Sequence, residues 1–442
     1  MPAKRSRSKG EIGWASAWRR LRAAQVALVV GALAIVAMLY VNLASSERKV
    51  ERPIPHRYAT SDSQFIRTTG ALLGPNFVGG NRVTPLLNGD EVFPAMLAAI
   101  GAARHSITFE SYIYWSSSVG RQFTAALAER ARAGVRTHVL IDWAGSQKVD
   151  GDDITRLRQA GVEVVFYRPL RWYQLDRLNH RTHRKLLIVD GRVGFTGGVG
   201  VADQWLGHAQ DRDHWRDSQF QVEGPVVAQL QAAFMDDWFE TRGVVLDGPD
   251  YFPALDRAGS ALGQVFWSSP AGGNGNLRVM FLLAIASAAR RILIANAYFV
   301  PDRMTVDMLV AARRRGVDVE ILVPGPILDA QIVRRASRVM WEPLLEAGVR
   351  IYEYQPTMYH TKVMVVDDVW SSVGSTNFDD RSFRLNQEAN LNVHDSAFGA
   401  AQAATFARDR AQARQITLEA WRRRSLWERL QERVAGIFRK QL

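Results

Sequence analysis

Charge disappears from the chain between Ala23 and Ala44, a run of 22 residues diluted only by Gln25, Asn42 and a few small side chains. As a helix rising about 1.5 Å per residue it would span roughly 33 Å, close to the hydrocarbon thickness of a bilayer. A helix of that length buried in a soluble protein would show a polar face, and this one shows none, so the pattern predicts a membrane anchor over 23–44. The rival is a cleaved signal peptide ending near Ala44-Ser45-Ser46, whose apolar core would be shorter, about 7–15 residues. Residues 45–82, with Pro53, Pro55, Pro75 and several glycines, read as a linker.

Beyond the linker the pattern is stated twice. Ile107–Ile113 is an apolar, β-branched and aromatic run that predicts a buried strand, and Ile292–Phe299 answers it 185 residues later. Ala133-Gly134-Val135 leads into His138–Ile141 as Arg315-Gly316-Val317 leads into Glu320–Val323. Ala160-Gly161-Val162 is matched by Ala347-Gly348-Val349, and the three matches keep spacings of 182–187. Glycine directly after a helix supplies a left-handed cap, and strand alternating with helix predicts a largely parallel sheet. The pattern divides the chain into two α/β halves, 83–255 and 256–415, packed face to face with a pocket at their interface. A basic amphipathic helix over 416–442 follows.

The net charge of +12 sits almost wholly in the tails. Residues 1–22 carry seven positive side chains against Glu11, and residues 421–442 carry seven against Glu428 and Glu432. The remaining body is close to neutral, which argues against a duplex-binding protein and for attraction to an anionic membrane. The basic cluster ahead of the span, heavier than Arg48, Lys49 and Arg52 behind it, predicts a cytoplasmic N-terminus and a body on the far side. With no cysteine, disulfides, thiolate zinc sites and a cysteine nucleophile are excluded.

Each half closes on the same motif. His183, Lys185 and Asp190 answer His360, Lys362 and Asp367, both reading H-x-K-x4-D. The chain has only 7 lysines against 49 arginines, so random placement yields on the order of 0.01 such matches. In a strand, positions i and i+2 share a face, which puts each His beside its Lys, while the Asp at i+7 points the other way to anchor backbone. Two imidazoles and two ammonium groups in one pocket suit in-line displacement at phosphorus. One imidazole attacks, the other protonates the leaving oxygen, and the lysines neutralise the non-bridging oxygens. Gly197-Gly198 and Gly374-Ser375-Thr376-Asn377 follow the two motifs, with Gly197, Gly198, Ser375 and Asn377 the candidate phosphate contacts. Asp217, 34 positions after His183, and Glu388, 28 after His360, are candidates to accept the Nδ1 proton of an imidazole.

The paired motifs with Gly-Ser-x-Asn resemble the phospholipase D superfamily. The stretch His180–Lys185, Val193–Gly198, Trp215-Arg216-Asp217 and Val222–Pro225 is similar to bacterial cardiolipin synthases, as is Ala297–Asp302 in the second half. The resemblance covers about residues 80–442. It implies a pseudo-twofold fold of two phospholipase D-type domains, no metal or other cofactor, and a phosphatidyl-histidine intermediate, with His183 the nucleophile by analogy. It also implies phosphatidyl transfer between two phosphatidylglycerol molecules with release of glycerol, in a single-pass protein of the inner membrane with an outward-facing body. One departure stands out: the first half has Gly200 where the second has Asn377.

Other features have plainer readings. His180 near His183, and His208 with His214, read as hydrogen-bonded loop histidines rather than metal ligands. Leu170-Arg171-Trp172-Tyr173 suits a base-stacking surface or a lipid-headgroup rim. The spacing of Leu426, Trp427, Leu430, Val434, Ile437 and Phe438 suits either packing on the body or lying in a membrane interface. Lipid hydrolysis or headgroup exchange needs the same catalytic residues. A nuclease is disfavoured by the neutral body, and a non-catalytic scaffold by the completeness of both motifs.

Overall fold

The computed structural model describes residues 9–43, 50–170, 179–269, 277–437 and 439–441. The chain divides into an N-terminal unit and a body that begins at Val50. The N-terminal unit is a helix over Lys9–Leu43, longer at its start than the predicted span because no proline interrupts the basic residues that precede it. Within it, Trp18–Met38 is long and apolar enough to cross a membrane, and its side chains are exposed. The alternative cleavage site at Ala44–Ser46, and Arg48 and Lys49, lie outside the described residues.

The body's first half contributes β1 (Val78–Leu87), β2 (Ser106–Ser111), β3 (Arg136–Asp142), β4 (Glu163–Tyr167), β5 (Leu186–Val189), β6 (Val193–Gly197) and β7 (Ser218–Glu223). The second contributes β8 (Ala261–Ser268), β9 (Arg291–Asn296), β10 (Asp318–Pro324), β11 (Arg350–Tyr354), β12 (Lys362–Val366), β13 (Trp370–Gly374), β14 (Glu388–His394) and β15 (Ala413–Ile416). Reading outward from the centre, β1-β7-β6-β5-β2-β3-β4 is repeated by β8-β14-β13-β12-β9-β10-β11, with β15 added at the edge. β1 and β8 pair antiparallel at the seam, and Asn81 bonds there to the carbonyls of Val78 and Ala261, so one 15-stranded sheet runs through both halves.

The expectation of a largely parallel sheet is corrected. Among the described residues only β2-β3-β4 and β9-β10-β11 run parallel, where helical crossovers link them. β5–β6 and β12–β13 are joined by short turns at Asp190 and Asp367, and a turn that short permits only an antiparallel return. The glycines read as helix caps, Gly134, Gly161, Gly316 and Gly348, all take left-handed φ of 84–95°.

The predicted linker also holds structure. A helix over Ser63–Leu73 begins at Asp62, whose carboxylate accepts the Gln64 N–H at 2.7 Å. It buries Phe65 and Leu73 in the second half's core, Phe65 lying edge-on to Trp370 at 6.0 Å, and β1 starts before the linker was expected to end. The prolines bracket this helix rather than interrupt it. The C-terminal segment is likewise not one helix but two, Leu418–Arg422 and Leu426–Ile437. The second starts on a capping box, in which Ser425 Oγ accepts the Glu428 N–H and Glu428 accepts the Ser425 N–H.

Candidate active site

The two histidines sit ahead of the strands rather than inside them. His183 to Lys185 and His360-Thr361 form extended segments leading into β5 and β12, and each segment is stitched by backbone hydrogen bonds to the opposite half. His183 N donates to Gln387 O at 2.8 Å, and Gln387 N donates to Arg181 O at 2.8 Å. His360 N donates to Arg216 O at 2.8 Å, and Arg216 N to Met358 O at 2.9 Å. Gln387 precedes Glu388 and Arg216 precedes Asp217, so each histidine is registered against the acid of the other half.

The side chains follow that register. His183 Nδ1 lies 3.0 Å from Glu388 Oε1, and His360 Nδ1 lies 2.7 Å from Asp217 Oδ2. An ionised carboxylate can only accept, so each Nδ1 carries the hydrogen and Nε2 is the nitrogen left for chemistry. Glu388 also accepts the Ser375 hydroxyl at 2.5 Å and the Ser382 hydroxyl at 2.7 Å, and Asp217 accepts the Trp205 indole N–H at 2.9 Å. Burial alone would raise both carboxyls. The imidazoles, the lysines and these donors outweigh it and hold both below the ordinary carboxylate range.

Lys185 Nζ donates to His183 O at 2.7 Å, and Lys362 Nζ donates to His360 O at 2.5 Å while standing 3.1 Å from both ring nitrogens of His360. Burial brings Lys185 down to about 7 and Lys362 down to about 8, against the pull of Glu388 and Asp217. Burial also brings His183 down to about 4 despite Glu388, and burial with the Lys362 ammonium lowers His360. All four side chains are buried, and a bound phosphodiester would favour the protonated form of each.

Asp190 and Asp367 point away from this cluster. Asp190 accepts the N–H groups of Arg104, His105 and Ser106, and Asp367 those of Ala289, Arg290 and Arg291, with the Thr60 hydroxyl added. Both take left-handed φ, 52° and 56°, a conformation that aspartate tolerates when its carboxylate bonds local backbone. Arg184, between His183 and Lys185, is fully buried and fastens the motif from behind. It donates to the Ala233 and Ser268 carbonyls and to Asp236, and faces Asp237 at 3.3 Å.

His183, Lys185, His360 and Asn377 line one cavity of ≈ 380 Å³, with Tyr112, Arg181, Trp205 and Trp215 among its other walls. Of the four residues expected to contact phosphate, only Asn377 lines it. The Ser375 hydroxyl donates to Glu388 instead. Gly197 and Gly198 also lie off the cavity, where a Cβ on Gly198 would overlap the Asp217 carboxylate and one on Gly197 would overlap Gln219. Gly200 faces the Trp205 ring and Ile113, so an indole occupies the space that an asparagine would need in the first half.

Sequence reasoning missed Trp205, Ser382 and Asp379. Asp379 lines the cavity, and burial raises it to about 8. No periodicity marks these residues. Their only signal is position, a few residues beyond each glycine-containing turn. His180 Nδ1 bonds the Leu385 carbonyl, His208 faces Asp90 and His214 faces Asp211, three separate loop contacts. Arg171, Trp172 and Tyr173 lie outside the described residues.

A family model described as "Cardiolipin synthase, PLD-like domain" matches residues 96–238 and 281–410. Cardiolipin synthase A of Pseudomonas entomophila (strain L48) is 38% identical over 363 residues, covering 81% of this chain and 75% of its own. Cardiolipin synthase of Geobacillus kaustophilus (strain HTA426) is 36% identical over 355 residues, covering 80% and 70%. Among solved structures, phosphatidylserine synthase of Haemophilus influenzae Rd KW20 superposes with a TM-score of 0.65 over 86% of this chain and 100% of that one, at 14% identity, a likeness of fold.

Proposed function

The chain belongs to the cardiolipin synthase family of phospholipase D-like proteins, and from that premise we propose that it joins two phosphatidylglycerol molecules into cardiolipin and releases glycerol. The observation that carries this reading is the pair of exchanged imidazole–carboxylate contacts, His183–Glu388 and His360–Asp217, at one cavity that Lys185 lines, with Lys362 against the His360 ring.

His183 Nε2 attacks the phosphorus of the donor lipid. The phosphorus–oxygen bond to the headgroup glycerol breaks as His360, protonated on Nε2, gives the leaving oxygen its proton. Glu388 stabilises the positive charge that develops on the His183 ring. The now neutral His360 takes the proton from a hydroxyl of the second phosphatidylglycerol, whose oxygen displaces His183 from phosphorus. One phosphodiester replaces another, so no nucleotide is consumed and substrate excess sets the direction. Lys185, Lys362 and the Asn377 amide face the charge on the non-bridging oxygens. Asp190 and Asp367 hold the strand ends that carry each motif.

The protein is membrane-associated and its substrate is a phospholipid. We further assign it to the inner membrane with one N-terminal span and an outward body, organised as two phospholipase D-like domains, 83–255 and 256–415. The near-neutral body supports a lipid rather than a nucleic acid partner. Mass spectrometry of phosphatidylglycerol vesicles incubated with the protein and a strong chelator should show cardiolipin and glycerol in equal amounts, with added glycerol driving the reaction back. Dominant phosphatidic acid would make the protein a hydrolase, and dependence on a divalent ion would overturn the metal-free mechanism.

A further inference from the structure

The helix Leu426–Ile437 turns Glu432 and Ala435 to the body, with Glu432 held between Arg338 and Arg424. Its opposite face is bare. Leu426, Trp427, Leu430, Val434 and Ile437 are 82, 64, 50, 50 and 76% exposed. At 3.6 residues per turn they fall within an arc of about 100°, a continuous apolar stripe rather than scattered surface residues. Arg429 and Arg433 border that stripe on one side. Arg433, and Arg335 on the adjoining helix Gln331–Arg338, are exposed and have no carboxylate partner among the described residues.

The helix that carries the stripe packs on a helix that lines the catalytic cavity. On the adjoining helix Ile332 is exposed, while its neighbour Val333 lines the cavity. The chain after the stripe returns to the same place, where Gln441 lines the cavity and its carbonyl accepts from Arg381 at 3.2 Å.

We propose that this face is a second membrane contact, independent of the N-terminal span. It lies in the interface of an anionic bilayer and presses the cavity mouth against the lipids it takes as substrate. The inference rests on the lipid-substrate reading and extends it to how the lipid arrives. Leucine, isoleucine, valine and a tryptophan enter the acyl boundary, and the bordering arginines meet headgroup phosphates. A second copy of the chain is a poor occupant, because a twofold contact would set these arginines against their own counterparts.

The absence of native cysteine makes the test direct. Single variants Leu430→Cys, Val434→Cys and, as a control on an exposed helix of the first half, Asp152→Cys carry a nitrobenzoxadiazole probe in the full chain. The chain is reconstituted in vesicles of phosphatidylglycerol and phosphatidylcholine. Probes at 430 and 434 should shift to the blue and be quenched by spin-labelled lipid, and the probe at 152 should not. Aqueous emission at 430 and 434 overturns the proposal. So does a blue shift already present in detergent that grows with protein concentration, which would identify a second copy.

In parallel, Leu430→Glu/Val434→Glu should raise KM for vesicle phosphatidylglycerol roughly tenfold, as two side chains leave the lipid. Turnover of dispersed short-chain phosphatidylglycerol should be unchanged. An unchanged vesicle KM overturns the docking face. A wild-type chain inert on both substrates overturns the proposed function instead, while the probes still read the contact.

Discussion

Exchange of the acids between halves makes a prediction that pairing within each half would reverse. Glu388→Gln keeps the shape of the carboxylate but removes its charge from beside His183. The carboxylate is fully buried and accepts from His183, Ser375 and Ser382. Removing one partner of a buried pair costs about 3 kcal/mol. If that cost falls on the transition state in which the His183 ring becomes positive, the first chemical step slows roughly a hundredfold. Asp217→Asn should cost as much on phosphatidylglycerol, but by weakening His360 as the acid. A phosphatidyl ester of p-nitrophenol separates the two, because its leaving group needs no proton. In a rapid-mixing experiment Asp217→Asn should release a near-normal burst of nitrophenol, and Glu388→Gln a slow one. Acid quenching with labelled lipid identifies the histidine that carries phosphorus. The reasoning fails if the acid whose loss slows the burst comes from the same half as the labelled histidine.

The lysines give a pH signature. Each contributes as an ammonium, which is present below its pKa and lost above it, so with Lys185 at about 7 and Lys362 at about 8 kcat/KM should fall as pH rises through that window. The kcat limb should lie higher, since bound phosphodiester favours the charged form; a fall seen only near the ordinary lysine value would refute this. Gly198→Ala should displace the Asp217 carboxylate and cut turnover by roughly a hundredfold while circular dichroism stays native. Gly200→Asn, which would restore the symmetric amide, meets Trp205 and Ile113 at 3.1 Å and should instead cost about 1–3 kcal/mol of stability in denaturant titration.

The motif repeat, its spacing and the two acids were legible because each leaves a mark on the chain itself. The resemblance built on them is borne out by the family match, and so is the fold of two related α/β halves with an N-terminal apolar helix. The exchange of acids was not legible. It follows from backbone pairing between segments about 205 and 143 positions apart, His183 with Gln387–Glu388 and His360 with Arg216–Asp217, and no local spacing encodes a contact of that range. The role of Ser375 was hidden for the same reason, since its partner Glu388 reaches it only through β13–β14 pairing. The sheet direction was misjudged where the glycine-capped crossovers were generalised past β4 and β11. The helix at Ser63–Leu73 was obscured by prolines that surround it.

The exchanged acids also bear on inheritance. A duplicated gene ordinarily frees one copy to drift, and the two halves do differ where Gly200 against Trp205 stands in place of a second Asn377. The acids are different, because a change at Glu388 is felt at His183 and a change at Asp217 at His360. Neither half can decay while the other is conserved. A chimera spliced near residue 255 from two homologous parents would set every imidazole opposite a carboxylate of foreign descent. Recombination at that point, which respects both halves as units, therefore disturbs both acid–base pairs at once.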